Sequence, residues 1–132
     1  MDCFTDLYIA NVNRVLEAAD ELIDMVYTYD DVGTQKGLLI SEEMWRKFIL
    51  PRHKRLNATI RLYPVKIMYH SCGAIYPLIE AFIEEMGIDV LNPIQPRAFG
   101  MDPARIKRDF GARLTLHRAI DIQCFRLPLH PG

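Results

Sequence analysis

The sequence predicts an α/β protein with about four parallel strands alternating with helices: half of an eight-stranded barrel, or a small open sheet of the doubly wound kind. Two observations carry this expectation. Short apolar runs near residues 25, 65, 89 and 113 alternate with stretches whose apolar residues recur every three or four positions. The chain has 132 residues, whereas a complete barrel takes about 250. Strands separated by helices pair in parallel through right-handed crossovers.

The first helix is predicted over Phe4 to Ile23, where Phe4, Tyr8, Val12, Val15, Leu16, Ala19, Leu22 and Ile23 share one face. Met25 to Tyr29 reads as the first strand, followed by a polar loop from Asp30 to Gly37. Ser41 is a good helix N-cap, and Glu42 and Glu43 occupy the first turn, where the helix dipole favours acids. Met44, Trp45, Phe48 and Ile49 are the expected buried face. Pro51 lacks a backbone donor, so a kink or a new helix start is expected there before the helix continues through Leu56 and Ile60. Val65 to Tyr69 is the second strand.

A third helical segment starts near Ile75 or Pro77 and ends at Gly87, which tolerates the positive φ of a C-terminal cap. Asp89 to Leu91 is the third strand. Asp102-Pro103 starts the next helix as N-cap and first-turn proline, Gly111 closes it, and Arg113 to Leu116 is the fourth strand.

Hydrophobic residues make up 50% of the chain and charged residues 25%, the balance of a folded domain. With 16 Lys+Arg against 17 Asp+Glu there is no basic excess, so no nucleic-acid partner is expected. The run Arg46, Lys47, Arg52, His53, Lys54, Arg55 reads as the wet face of a helix. No apolar stretch reaches the length of a membrane span, and the acidic N-terminus lacks a signal-peptide pattern. Three irregularly spaced cysteines make no disulfide framework, which fits a cytoplasmic setting.

In parallel α/β folds, chemistry gathers at the C-terminal ends of the strands. Those ends carry Asp30, Asp31, Thr34 and Gln35; His70, Ser71, Cys72 and Gly73; Asn92 and Gln95; and His117, Asp121 and Gln123. The candidate substrate-binding rim is therefore Asp30, Asp31, Gln35, Asn92, Gln95, Asp121 and Gln123. Adjacent strand residues point to opposite sides, so only one of Asp30 and Asp31 should enter the site. Asn92 and Gln95 suit either an anionic substrate or the turns at Pro93 and Pro96. His70 and Cys72 are zinc-ligand types two residues apart; Cys124, His117 or Asp31 would have to supply a third donor. The alternative is a hydrogen-bonded histidine beside a buried thiol.

The string Asp30-Asp31-Val32-Gly33-Thr34-Gln35 resembles the Asp-Asp-x-Gly-Thr-Gln loop of the uroporphyrinogen decarboxylase-like superfamily. Residues 40–51, then His70-Ser71-Cys72-Gly73, Gly87 to Gln95, and Gly100-Met101-Asp102-Pro103 follow in the same order. The resemblance implies a partial TIM (β/α)8 barrel over residues 1–123, followed by a divergent tail, 124–132. It also implies one of two chemistries. The first is decarboxylation of uroporphyrinogen acetate side chains in porphyrin biosynthesis, without metal or cofactor. There Asp30 or Asp31 would steady a cationic intermediate. The second is zinc-dependent methyl transfer between a corrinoid protein and a thiol, with a His-x-Cys pair like His70 and Cys72.

Three departures lower the expectation for catalysis. The family's substrate-binding arginine and central aspartate lie in an N-terminal half that has no counterpart here. The family's last strand and its later zinc cysteine have none either. The family's Gly-Gly-Ile-Asp is replaced after His117 by Arg118-Ala119-Ile120-Asp121, which puts side chains where glycines let a ligand approach the backbone. The chain is thus expected to be incomplete as a catalyst, or a non-catalytic truncated relic. It would be completed by a separate N-terminal half, or would self-associate through open sheet edges. Its partner in function would be a tetrapyrrole or another small molecule.

Overall fold

The computed structural model describes residues 2–118. Helix α1 spans Asp2–Ala19, and a single 3-10 turn, Asp20–Leu22, leads to strand β1, Met25–Tyr29. Helices α2, Glu42–Phe48, and α3, Leu50–Ile60, precede β2, Lys66–His70. A 3-10 turn, Tyr76–Leu78, runs into α4, Ile79–Glu84, then β3, Val90–Asn92, α5, Pro103–Phe110, and β4, Thr115–Leu116. The four strands form one parallel sheet in the order β1-β2-β3-β4. A doubly wound sheet reverses its strand order at a switch point. This one advances in a single direction, as a partial TIM barrel does.

Local chemistry accounts for most boundaries. Asp20 has a φ of 51°, a left-handed conformation that ends α1 before the predicted Ile23. Ser41 caps α2 by accepting from the Met44 N–H, and Asp102 caps α5 by accepting from the Ala104 N–H. Gly87 takes the positive φ (66°) expected of it. β2 and β3 each lie one residue beyond their predicted starts, which brings His70 and Asn92 into the ladder. β4 is shorter than predicted because the N–H groups of Arg113 and Leu114 both donate to the Phe110 carbonyl and so finish α5.

The helices cover one face of the sheet. Ile67, Tyr69 and Leu91 point into them and pack with Trp45, Ile60, Ile79, Phe82 and Ile106. The rings of Trp45 and Phe82 meet edge to face at 5.6 Å, as do those of Tyr69 and Phe82 at 4.9 Å. The opposite, concave face is open: Tyr27 is 52% and Tyr29 70% exposed. Among the described residues, one edge of β1 and one edge of β4 have no strand partner.

The predicted core needs correction in two places. Only Leu16 of the expected α1 face is buried, while Phe4, Tyr8, Val15 and Leu22 are exposed, because among the described residues α3 is the main element that α1 packs against. Met44 and Phe48 are exposed, since α2 ends at Phe48 and presents only Trp45 to the core. The basic run is a paired, wet face: Arg46 meets Glu42 and Glu85, Arg52 meets Asp2, and Arg55 meets Asp6. His53 is the exception, with its side chain turned toward Tyr69.

Trp45 is completely buried, and its indole N–H has no hydrogen-bond partner among the described residues. Trp45→Ala should therefore cost about 3–5 kcal/mol. Trp45→Phe should cost about 1 kcal/mol or less, because it removes the buried unpaired donor together with part of the ring. Urea unfolding followed by far-ultraviolet circular dichroism separates the two.

Candidate functional site

The parallel register places Tyr29 beside His70 and His70 beside Asn92. Side chains at equivalent positions of neighbouring strands share a face, so these three enter the concave side together. The loop after β1 crosses to the loop after β2 and is held there by backbone and hydroxyl contacts. The Val32 N–H donates to Ser71 Oγ at 3.2 Å, and the Ala74 N–H donates to the Thr34 carbonyl at 2.7 Å. Gly33 and Gly73 make this approach possible. A Cβ on Gly33 would lie 2.7 Å from the Cys72 carbonyl oxygen, and one on Gly73, whose φ is 88°, would lie 2.5 Å from Gly33.

That approach brings Asp31, His70 and Cys72 together, with one donor atom of each within 4.8 Å of the others. His70 Nε2 is 3.5 Å from Asp31 Oδ1 and 3.4 Å from Cys72 Sγ. Asp31 Oδ1 also accepts from the Cys72 backbone N–H at 2.8 Å, which fixes its direction. The other ring nitrogen of His70, Nδ1, lies 2.9 Å from Asn92 Oδ1. The Asn92 amide nitrogen lies 2.7 Å from His117 Nδ1. The Tyr27 ring is 5.9 Å from the His70 ring and forms the apolar floor below it.

The remaining rim residues divide. Gln35 and Gln95 are bonded to each other at 2.8 Å, and Gln95 Oε1 also accepts from the Gly73 N–H, so both glutamines brace the loop that carries Cys72. Asp30 lies outside the cluster: its carboxylate faces His53 on α3 at 3.5 Å, and its backbone carbonyl accepts from the Tyr69 hydroxyl. The expected substrate-binding residues Asp121 and Gln123, and Cys124 with them, fall outside the described residues. Ser71, absent from the candidate rim set, is completely buried and ties the two loops. Asn92, a candidate rim residue from the sequence, stands between two imidazoles. The only sequence signal for that pairing was that Asn92 and His117 both lie at the end of a short apolar strand.

The donor types and their spread suit a zinc-type divalent ion: an imidazole nitrogen, a thiol sulfur and a carboxylate oxygen. The hydrogen bond on Nδ1 of His70 is the usual outer support of a metal-binding histidine. Asp31 is more than half exposed, so the cluster opens toward the rim. In the absence of an ion, burial pushes the Cys72 thiol up from its ordinary range, and the negative charge of Asp31 adds to this. Burial and the charges of Asp30 and Asp31 likewise push the Tyr69 phenol well above its usual range, so it remains a neutral donor.

The raised thiol pKa predicts slow chemistry at Cys72 in the metal-free chain. The thiolate is the reactive form, so alkylation near pH 8 should be slower than for an unperturbed model thiol. Asp31→Asn removes one negative neighbour, lowers the pKa and should speed alkylation several-fold. Mass spectrometry of the Cys72 peptide over time reads both.

No curated protein and no solved structure matches the chain. The sequence model of the family described as uroporphyrinogen decarboxylase (URO-D) matches residues 1–116, a span that includes all four strands and Asp31, His70, Cys72 and Asn92. On that match the chain belongs to the uroporphyrinogen decarboxylase (URO-D) family.

Proposed function

We propose that this chain carries the thiol-activating zinc site of a methyl-transfer enzyme, the metal-dependent branch of chemistry that its family resemblance implies. The observation that carries the reading is the convergence of Asp31, His70 and Cys72 at the strand ends, with donor atoms within 4.8 Å of one another. When bound there, zinc supplies the positive charge that holds an acceptor thiol as its thiolate near neutral pH.

The chain's own residues do the rest. His70 offers Nε2, Cys72 offers Sγ and Asp31 offers Oδ1. Gln95, braced by Gln35, holds the loop that carries Cys72. Tyr27 and Tyr29 line an apolar concave wall beside His70, against which a methyl donor of corrinoid type and the carbon chain of a thiol can pack. The decarboxylase reading has less to rest on. It asks for a carboxylate aimed at a cationic tetrapyrrole, whereas Asp31 faces His70 and Cys72 and Asp30 turns toward His53.

A second feature bears on whether this chain works alone. Exposed Tyr27 and Tyr29 on the concave wall, with the edges of β1 and β4 that have no strand partner among the described residues, are a surface that a complementary four-strand body would cover. The reading therefore includes completion of the cylinder, by a separate half or by another copy of the chain. Among the described residues no helix is long and apolar enough to cross a membrane.

The chain prepared with zinc and then dialysed should retain about one ion per chain, and Cys72→Ala and His70→Ala should each abolish retention. Metal content by atomic emission reads this, and a full complement of zinc in Cys72→Ala would sink the proposal. Size-exclusion chromatography and thermal melting address completion. A monomer with a sharp cooperative melt would show that no complementary body is needed.

A further inference from the structure

We infer that Asn92 is a positioning residue that holds the proton of neutral His70 on Nδ1, leaving the Nε2 lone pair bare toward Cys72 and Asp31. The inference deepens the metal reading and rests on it only for its consequence in binding. The argument begins with the inventory of an amide side chain, which has one oxygen that only accepts and one nitrogen that only donates. Asn92 is 6% exposed and touches two imidazoles. Its oxygen lies 2.9 Å from His70 Nδ1 and its nitrogen 2.7 Å from His117 Nδ1.

A single amide cannot serve both rings in the same way. Where Oδ1 accepts, the ring must donate, so His70 carries its hydrogen on Nδ1. Where Nδ2 donates, the ring must accept, so His117 carries its hydrogen on Nε2. The two histidines are thus held in opposite tautomers by one residue. For His70 the result is a lone pair on Nε2, the atom 3.4 Å from Cys72 Sγ and 3.5 Å from Asp31 Oδ1. Without the Asn92 acceptor the proton would move to Nε2, where Asp31 stands ready to accept it. Nε2 would then be blocked as a donor to any ion.

The position is built to hold this geometry. Asn92 is the last residue of β3 and pairs in register with His70. The Ser71 N–H donates to the Asn92 carbonyl at 3.0 Å, and the His117 N–H donates to the neighbouring Leu91 carbonyl at 2.9 Å. Backbone bonds on both sides therefore fix the distance between the amide and each ring.

The test is nitrogen-15 spectroscopy of the histidine rings in the full, metal-free chain, at a pH where both rings are neutral. Wild type should show His70 protonated on Nδ1 and His117 on Nε2. Asn92→Asp offers two accepting oxygens, so His70 should be unchanged while the His117 proton moves to Nδ1. Asn92→Leu should shift the His70 proton to Nε2 and weaken Co2+ binding, read from its absorption bands, by about 10- to 100-fold. A wild-type His70 protonated on Nε2 overturns the inference, as does a His117 that keeps its tautomer in Asn92→Asp. The wild-type spectrum decides the matter even if a variant fails to fold. Absence of Co2+ binding with the expected tautomers intact would count against the metal reading alone.

Discussion

The parallel register of β1, β2 and β3 is the constraint from which the rest of the site follows. It aligns Tyr29 with His70 and His70 with Asn92, so three strands deliver one layer of side chains to the same side of the sheet. A slip of one residue would turn every one of those side chains to the opposite face. The helix-facing residues secure the register. Ile67, Tyr69 and Leu91 are completely buried, and any slip would exchange them for Met68, His70 and Asn92. The core on one side of the sheet thereby dictates the chemistry on the other.

Register alone leaves Asp31 and Cys72 undetermined, because both lie beyond the last paired residues. Their positions come from the contact between two loops, and that contact depends on glycine at both centres. The chain passes so close at Gly33 and Gly73 that a Cβ on either would overlap backbone of the other loop. Ser71 then supplies the hydroxyl that satisfies the Val32 N–H inside the junction, where an unpaired donor would be costly. The acid at position 31 plays two parts in consequence. It satisfies the Cys72 backbone N–H, and it holds negative charge against a thiol already disfavoured from ionising by burial.

The two faces of the sheet differ in how much of their apolar surface is covered. Helices α2 to α5 bury aromatic and branched side chains against the sheet. On the concave side Tyr27 and Tyr29 face outward. At the outer edge of β1 a groove of about 350 Å³ lies between β1, α1 and α3. Parallel sheets are normally covered on both faces. The open wall gives a ligand access to His70, whose side chain is a quarter exposed.

Much of the architecture was legible in the sequence because it depends on local rules. The β1 run at Met25–Tyr29, the caps at Ser41 and Asp102, the positive φ at Gly87 and the break at Pro51 follow from side-chain periodicity and backbone chemistry within a few residues. The clustering of polar residues at strand ends was equally visible, since it needs only the strand direction. Which of those residues meet was not. Asp30 and Asp31 are neighbours in sequence, yet one faces His53 and the other His70, and only the crossing of the β1 and β2 loops decides which. Asn92 showed no sign in the sequence of standing between two imidazoles, because both partners come from other strands. Phe4, Tyr8 and Val15 kept helical spacing without being buried, since periodicity records that a face is apolar and only the packed neighbours determine whether it is covered.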